Sequence, residues 1–135
     1  MSKLYRSREG TVTAVDTKTQ LATLGSESAP GPLLVPAGAK QLNAIITAIA
    51  PDLGVATDTG YIVRLEGPGL PEGPEVINVG ASGVQVATGG SFAREAQRFE
   101  LNIPVVAGNE ILVFGEMVGE DAGNAAIGVT LEFGM

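Results

Sequence analysis

Apolar and polar residues alternate over short segments along the sequence, at the period of two that β-strands show. In residues 98–103, Phe99, Leu101 and Ile103 alternate with charged or amide side chains. Residues 127–133 repeat this pattern, with an apolar residue at every second position. Because successive side chains of a strand point to opposite faces, each segment is predicted to have one buried face and one face in water.

Further strands are predicted where β-branched or apolar runs lie between glycines and prolines. Besides the two segments above, they cover residues 11–15, 20–24, 40–50, 61–66 and 110–118, while 75–79 and 84–87 are either two strands or one strand with a bulge. Residues 33–35 are a brief edge segment within a loop. Residues 11–15 and 20–24 form a hairpin in this prediction. The proline-rich residues 67–74 form a long exposed loop. Residues 110–118 are apolar on both faces, which indicates a central strand or a strand at a subunit contact.

Residues 40–50 are the one segment for which a helix is the alternative. Leu42, Ile45, Ile46 and Ile49 have the spacing of a buried helical stripe. The run of β-branched residues and the proline that follows it favour a strand.

The fold class that follows is all-β: an antiparallel β-sandwich with eight or nine strands. Loops of unequal length favour a jelly-roll or Greek-key connection over a simple meander. Residues 10–135 are expected to form this single domain, and residues 1–9 a short basic N-terminal arm. This arm is either a solvated terminus or a segment that docks on an acidic neighbour.

Composition narrows the possible chemistry. The 135 residues include no histidine, cysteine or tryptophan, which excludes histidine- and thiol-based catalysis and zinc-finger sites. A net charge of −7 has the wrong sign for a phosphate backbone, so nucleic acid is not an expected partner. No apolar run approaches the roughly twenty residues of a membrane span, so a membrane is not expected either.

Carboxylates are the remaining candidates for chemistry. Acidic residues at positions 66, 72, 75, 116, 120 and 121 could in principle form a hydrolytic pair, but none has a distinctive context. The three acids between residues 66 and 75 leave calcium open, although prolines make this loop a better spacer than a cage. The glycines at 67–69 and 80–83 lack the lysine and spacing of a phosphate loop. We therefore predict no catalytic, cofactor or metal site.

Three segments carry a resemblance to known proteins: residues 34–39 (LVPAGA), 103–109 (IPVVAGN) and 127–133 (IGVTLEF). Their style of strand and turn resembles that of viral jelly-roll structural proteins, over about residues 33–133. These are the decoration, or cement, proteins of phage heads and the small single jelly-roll capsid proteins. The resemblance implies a non-enzymatic protein that forms a homo-oligomer, in particular a homotrimer.

The resemblance also implies a place and a partner. A decoration protein binds the major capsid protein on the outside of the virion after synthesis in the host cytoplasm, and it stabilises the shell by bridging capsid subunits. The expected interface residues are Lys3, Leu4, Tyr5, Arg6, Arg8, Leu112 and Phe114. Two alternatives stay open: a capsid protein that forms the shell itself, and a carbohydrate- or ligand-binding module with a groove lined by Tyr61 or another exposed ring.

Overall fold

Two antiparallel sheets contain the strands of the computed structural model. It describes residues 3–12, 18–23, 32–50, 60–81, 84–85, 92–118 and 125–135. Within these ranges the chain forms strands, turns and irregular segments, and no helix long and apolar enough to cross a membrane is found there.

Eleven strands are assigned within the described residues, and four of them are only two residues long. They are β1 (Lys3–Val12), β2 (Thr19–Gln20), β3 (Ala22–Thr23), β4 (Leu33–Leu34), β5 (Gln41–Ala50), β6 (Gly60–Glu66), β7 (Glu75–Ala81), β8 (Val84–Gln85), β9 (Phe92–Pro104), β10 (Glu110–Val118) and β11 (Ala125–Gly134).

The strand order is that of a jelly roll. Sheet A has the order β3-β1-β11-β5-β9-β8, and sheet B has the order β2-β10-β6-β7, with β4 also pairing with β10. The longer strands cross repeatedly from one sheet to the other as the chain proceeds, so that β1 and β11, the first and last strands, become neighbours. Two packed antiparallel sheets of this order form a jelly-roll sandwich, which confirms the predicted fold class.

The core is built from alternate residues of both sheets. From β11, Ile127, Val129, Leu131 and Phe133 are buried, as the alternation in the sequence predicts. The buried residues contributed by sheet B and the loops next to it include Val63, Leu65, Leu70, Ile77, Ile111 and Val113. Side chains at every second position of both sheets thus form one apolar layer.

The segment with a possible helix is a strand. β5 lies between β11 and β9 in sheet A, and its buried side chains Leu42, Ala44 and Ile46 recur at a period of two. Asn43, at an intervening position, is also buried for a reason given below. Hydrogen bonding on both sides of β5 stabilises an extended backbone, which the helical spacing of its isoleucines does not change.

The N-terminal segment differs from its prediction. Residues 3–9 belong to β1, which pairs with β11 over its whole length, from Lys3 opposite Gly134 to Val12 opposite Ala125. The boundary expected between residues 9 and 10 therefore falls inside a strand. Basic side chains are among the features that edge strands commonly carry.

The predicted hairpin of residues 11–24 is wrong in its pairing. β1 begins earlier than expected, and of the described residues in the predicted second strand only Ala22 and Thr23 pair with it, opposite Glu9 and Arg8. β2 pairs with β10 in the other sheet, so the chain changes sheets between β1 and β2. Residues 13–17, where the turn was expected, lie outside the described residues.

The proline-rich loop between β6 and β7 was predicted to be exposed, but it is partly buried. Gly69 and Leu70 are buried, and the Gly69 N–H donates to the carbonyl of Glu110 at 2.8 Å. A Cβ atom on Gly69 would lie 2.7 Å from the side chain of Ile111. Glycine at this position lets the loop approach β10 closely, which places Leu70 in the core.

Candidate interaction site

A buried carboxylate lies on the outer face of sheet A. Glu132 of β11 points away from the apolar core, yet its exposed fraction is only 5%. Its Oε1 accepts a hydrogen bond from Nη2 of Arg98 on β9 at 2.9 Å. Nζ of Lys3 on β1 lies 3.4 Å from the same oxygen. One carboxylate therefore connects three elements of the sheet by charge-assisted contacts.

These contacts change the acidity of the carboxyl group. The hydrogen bond from Arg98 and the contact with Lys3 lower the pKa of Glu132 from 4.5 to about 2, against the opposing effect of burial. The pKa of Arg98 is raised, mainly by the same hydrogen bond. Glu132 is therefore charged at neutral pH, and its contact with Lys3 fixes the start of β1 next to β11.

A buried amide lies next to this carboxylate. Asn43 of β5 is directly opposite Glu132 in the register of the sheet, and its exposed fraction is 5%. Its Oδ1 accepts hydrogen bonds from the backbone N–H groups of Leu101 at 2.7 Å and Asn102 at 2.8 Å. These donors come from an irregularity in β9, where Asn102 has a φ of 49°. The side chain of Asn43 thus replaces missing strand–strand hydrogen bonds at a bulge.

A cleft of about 490 Å³ is formed over these groups. The side chains that line it include Lys3, Lys40, Arg98, Glu100 and Glu132. None of the described residues lining it is aromatic, so the ring platform expected of a carbohydrate site is not found in this cleft. The side chain of Tyr61, the ring proposed for such a groove, is outside the part of the chain whose burial is described.

One edge of sheet A is open along β1. Its pairing with β3 is confined to Arg8 and Glu9, so within the described residues no strand pairs with the outer edge of residues 3–7. Two apolar side chains are exposed there, Leu4 at 37% and Tyr5 at 50%. An unpaired edge strand presents backbone donors and acceptors that can accept another strand.

The inner contacts of β1 keep this edge in place. The hydroxyl groups of Ser7 and Thr130 lie 2.9 Å apart across β1 and β11. Further along β1, Nη2 of Arg8 donates to the carbonyl of Pro32 at 3.2 Å. Burial, with the nearby charge of Arg6, lowers the pKa of Arg8. Together with the contact between Lys3 and Glu132, these bonds fix both ends of the open edge.

A second open edge lies at the far end of sheet B. β7 pairs with β6 on one side, and no other strand of the described residues pairs with its opposite side. Val76 is 54% exposed at this edge, whereas Ile77, its neighbour, is buried. Glu75 begins the strand. The open edges of β1 and β7 thus belong to different sheets and differ in charge.

The residues predicted for the interface lie on two separate surfaces. Lys3, Leu4, Tyr5 and Arg6 are exposed on β1, whereas Arg8 is partly buried. Leu112 and Phe114 are on the outer face of sheet B, because they alternate with the buried residues of β10, and both are half-buried. β10 is a central strand, as its two apolar faces predict. The structure does not bring the two groups of predicted residues together.

Two of the carboxylates considered for catalysis and for calcium form ion pairs. Oε2 of Glu66 lies 2.8 Å from Nζ of Lys18, and Oε1 of Glu116 lies 3.0 Å from Nε of Arg64. No group of three or more acidic side chains that could hold a metal ion occurs in the described residues. Residues 120 and 121 lie outside them.

Comparisons with known proteins add only weak similarities. No protein family matches the sequence, and no curated protein sequence matches it. The solved structures with some similarity include a protein of the disulfide-linked pili of Bacillus endospore appendages, at 13% identity and a TM-score of 0.35, covering 99% of this chain and 89% of that one. FlhE has 14% identity and a TM-score of 0.36, with 100% of both chains covered.

A third similar structure is that of T=1 particles derived from infectious bursal virus. It has 13% identity and a TM-score of 0.29, and the match covers 95% of this chain but only 36% of that one. At such scores the similarities do not support a shared function.

Proposed function

We propose that this chain is a non-enzymatic assembly protein of virus particles, and specifically a decoration protein that binds the outside of a capsid. In this role it forms a homo-oligomer and stabilises the shell by bridging capsid subunits. No chemical step is involved, because the free energy comes from surface buried between subunits.

The observation that carries the proposal is that, within the described residues, no strand pairs with the outer edge of residues 3–7 of β1 or with the outer side of β7. Soluble sandwiches usually protect their edges with short strands, prolines or inward-pointing charges. The edge of β1 does carry the charged side chains of Lys3 and Arg6, but it is also held by Glu132 and presents Leu4 and Tyr5 to solvent. A rigid open edge is suited to joining subunits, since little backbone ordering is needed when a partner binds.

Composition supports the same role. Charged residues make up 17% of the chain, below the usual share of roughly a quarter. Interface cores are depleted in charged side chains, so a surface with few of them tolerates burial against a neighbour. The net charge of −7 also suits the outside of a particle better than the side that faces the genome.

Native mass spectrometry and light scattering over a range of concentrations test self-association. We expect a defined homo-oligomer, and a trimer is the size that the resemblance to decoration proteins implies. A strict monomer at the highest concentration contradicts the proposal.

Shell binding needs a separate test. Shells are assembled from the major capsid protein encoded beside this gene, and the chain is added to them before sedimentation. We expect co-sedimentation and a higher temperature of shell dissociation. A gene neighbourhood without capsid proteins, or shells that neither bind the chain nor gain stability, contradicts the role in decoration.

A further inference from the structure

We propose that the edge of β1 in one copy pairs antiparallel with the edge of β7 in a second copy, so that sheet A continues into sheet B of the neighbour. This contact rests on the proposed function, because it specifies the surface through which the homo-oligomer forms. The two edges are different surfaces of one chain, so the contact is heterologous and either closes into a ring or continues as a row of copies.

The side-chain faces of the two strands select a register. On β1, Tyr5 lies opposite Glu132 of β11 and points outward, whereas Leu4 lies opposite Phe133 and points to the inner face. On β7, Val76 points outward, and Ile77 is buried on the inner face. If Tyr5 lies opposite Val76 of the second copy, the side chains that point outward on the two strands face each other. The side chains on the inner faces also face each other.

The neighbouring pairs in this register are complementary as well. With Tyr5 opposite Val76, the antiparallel count places Leu4 opposite Ile77 and Arg6 opposite Glu75. An aromatic side chain opposite a β-branched one, and opposite charges facing each other, are both favourable cross-strand pairs. The two most exposed apolar side chains of these edges, Tyr5 at 50% and Val76 at 54%, would leave water together.

Pairing of two β1 edges is the main competitor, and charge disfavours it. An antiparallel pair centred on Tyr5 would place Arg6 of each copy diagonally across from Arg6 of the other, with Lys3 at both ends. A pair centred on Arg6 would place the two guanidinium groups directly opposite each other. Like charges at these positions are destabilising, whereas β7 offers a carboxylate.

Cysteine cross-linking tests the contact directly, because the natural sequence contains no cysteine. Tyr5→Cys and Val76→Cys are made as separate variants, one of them carrying a heavy-isotope label, then mixed and mildly oxidised. We expect a disulfide-linked dimer that contains one labelled and one unlabelled chain. The matched control mixes Tyr5→Cys with Val106→Cys, whose side chain is 39% exposed on a turn after β9, and should give no cross-link above background.

The outcomes separate this contact from the proposed function. Cross-linking of Tyr5→Cys with itself would show that two β1 edges pair, and would overturn the proposal. An oligomer that forms without a cross-link between positions 5 and 76 would also overturn it, while leaving self-association intact. A monomer at every concentration would contradict both the contact and the function.

A charge reversal gives a second measurement that does not depend on disulfide geometry. Arg6→Glu and Glu75→Arg each place like charges opposite each other, and each should weaken association about tenfold. Combining both substitutions in one chain restores opposite charges and should restore the original affinity. Equal weakening in the single and double variants, measured by light scattering, would contradict the pairing of these two residues.

Discussion

The outer faces of the two sheets carry ion pairs with almost the same distances but very different surroundings. On sheet A, Arg98 contacts Glu132 at 2.9 Å, and the carboxylate is almost completely buried. On sheet B, Lys18 contacts Glu66 at 2.8 Å, and both side chains are substantially exposed. The distances therefore do not show which ion pair contributes more to stability. Burial does, because water screens an exposed pair, whereas a buried charged group depends on its partners.

The surroundings of each pair explain this difference. On sheet A, Glu132 lies beside Asn43, and both need polar partners because they are buried. On sheet B, the half-buried side chains of Leu112 and Phe114 lie opposite Glu66 and Arg64 in the register, and the ammonium group of Lys18 lies 4.5 Å from the ring centre of Phe114. Sheet A thus has a connected set of buried hydrogen bonds, whereas on sheet B apolar side chains lie beside ion pairs of differing exposure.

The largest expected loss comes from the amide on sheet A. Asn43→Ala removes the acceptor of two backbone N–H groups at the β9 irregularity and should lower the free energy of unfolding by about 2–4 kcal/mol. Chemical denaturation measures this loss. The matched control is Asn109→Ala, because Asn109 donates one exposed hydrogen bond of 3.3 Å to Pro68 and its loss should cost less than about 1 kcal/mol. Similar losses in the two variants would contradict the assigned role of Asn43.

A smaller loss is expected for the buried carboxylate. Glu132→Gln keeps the shape of the side chain but removes the charge that Arg98 and Lys3 contact, and should cost about 2 kcal/mol. Glu116→Gln makes the same change on sheet B, where the carboxylate contacts one cation of the described residues, Arg64, rather than two, and should cost about half as much. Thermal and chemical unfolding of both variants sharpen the comparison between the sheets. A larger loss for Glu116→Gln would reverse it.

The same carboxylate should make stability depend on pH. The pKa of Glu132 is about 2 in the folded chain, below its ordinary value of 4.5. A group whose pKa is lowered by folding contributes stability that is fully present above the unfolded value and is lost as pH falls through the folded one. Stability should therefore fall between pH 4.5 and about 2 by a larger amount in the natural chain than in Glu132→Gln. Parallel unfolding curves of the two chains across this range would contradict this account.

Alternation in the sequence predicts the sandwich well, because burial on one face imposes a period of two on every strand. The same rule explains what could not be predicted. The alternation of β11 predicts that Glu132 lies on the solvent-exposed face. It is buried in the structure, where Arg98 of another strand contacts it, and this contact cannot be read from the local sequence. Asn43 lies in an apolar run, and its role depends on an irregularity in β9 that no local pattern reveals.

The N-terminal segment is a second feature that the local sequence does not predict. Its basic residues suggest a separate arm, yet residues 3–9 are part of β1. Pairing with β11 joins the beginning of the described chain to its end, and such distant contacts leave no signature in local sequence. The interface prediction therefore named exposed residues of β1 but could not show that they form an open edge.

The smallest expected effect is on sheet B. Lys18→Ala removes the contact with Glu66 and the contact with the Phe114 ring, and should cost less than about 1 kcal/mol because Lys18 is half exposed. In 1 M salt the screening length falls to about 3 Å, so the electrostatic part of this cost should largely disappear. The cost of Glu132→Gln should persist, because its carboxylate has little contact with solvent ions. Unfolding of both variants at low and high salt measures this contrast, and equal salt sensitivity would show that burial does not separate the two faces.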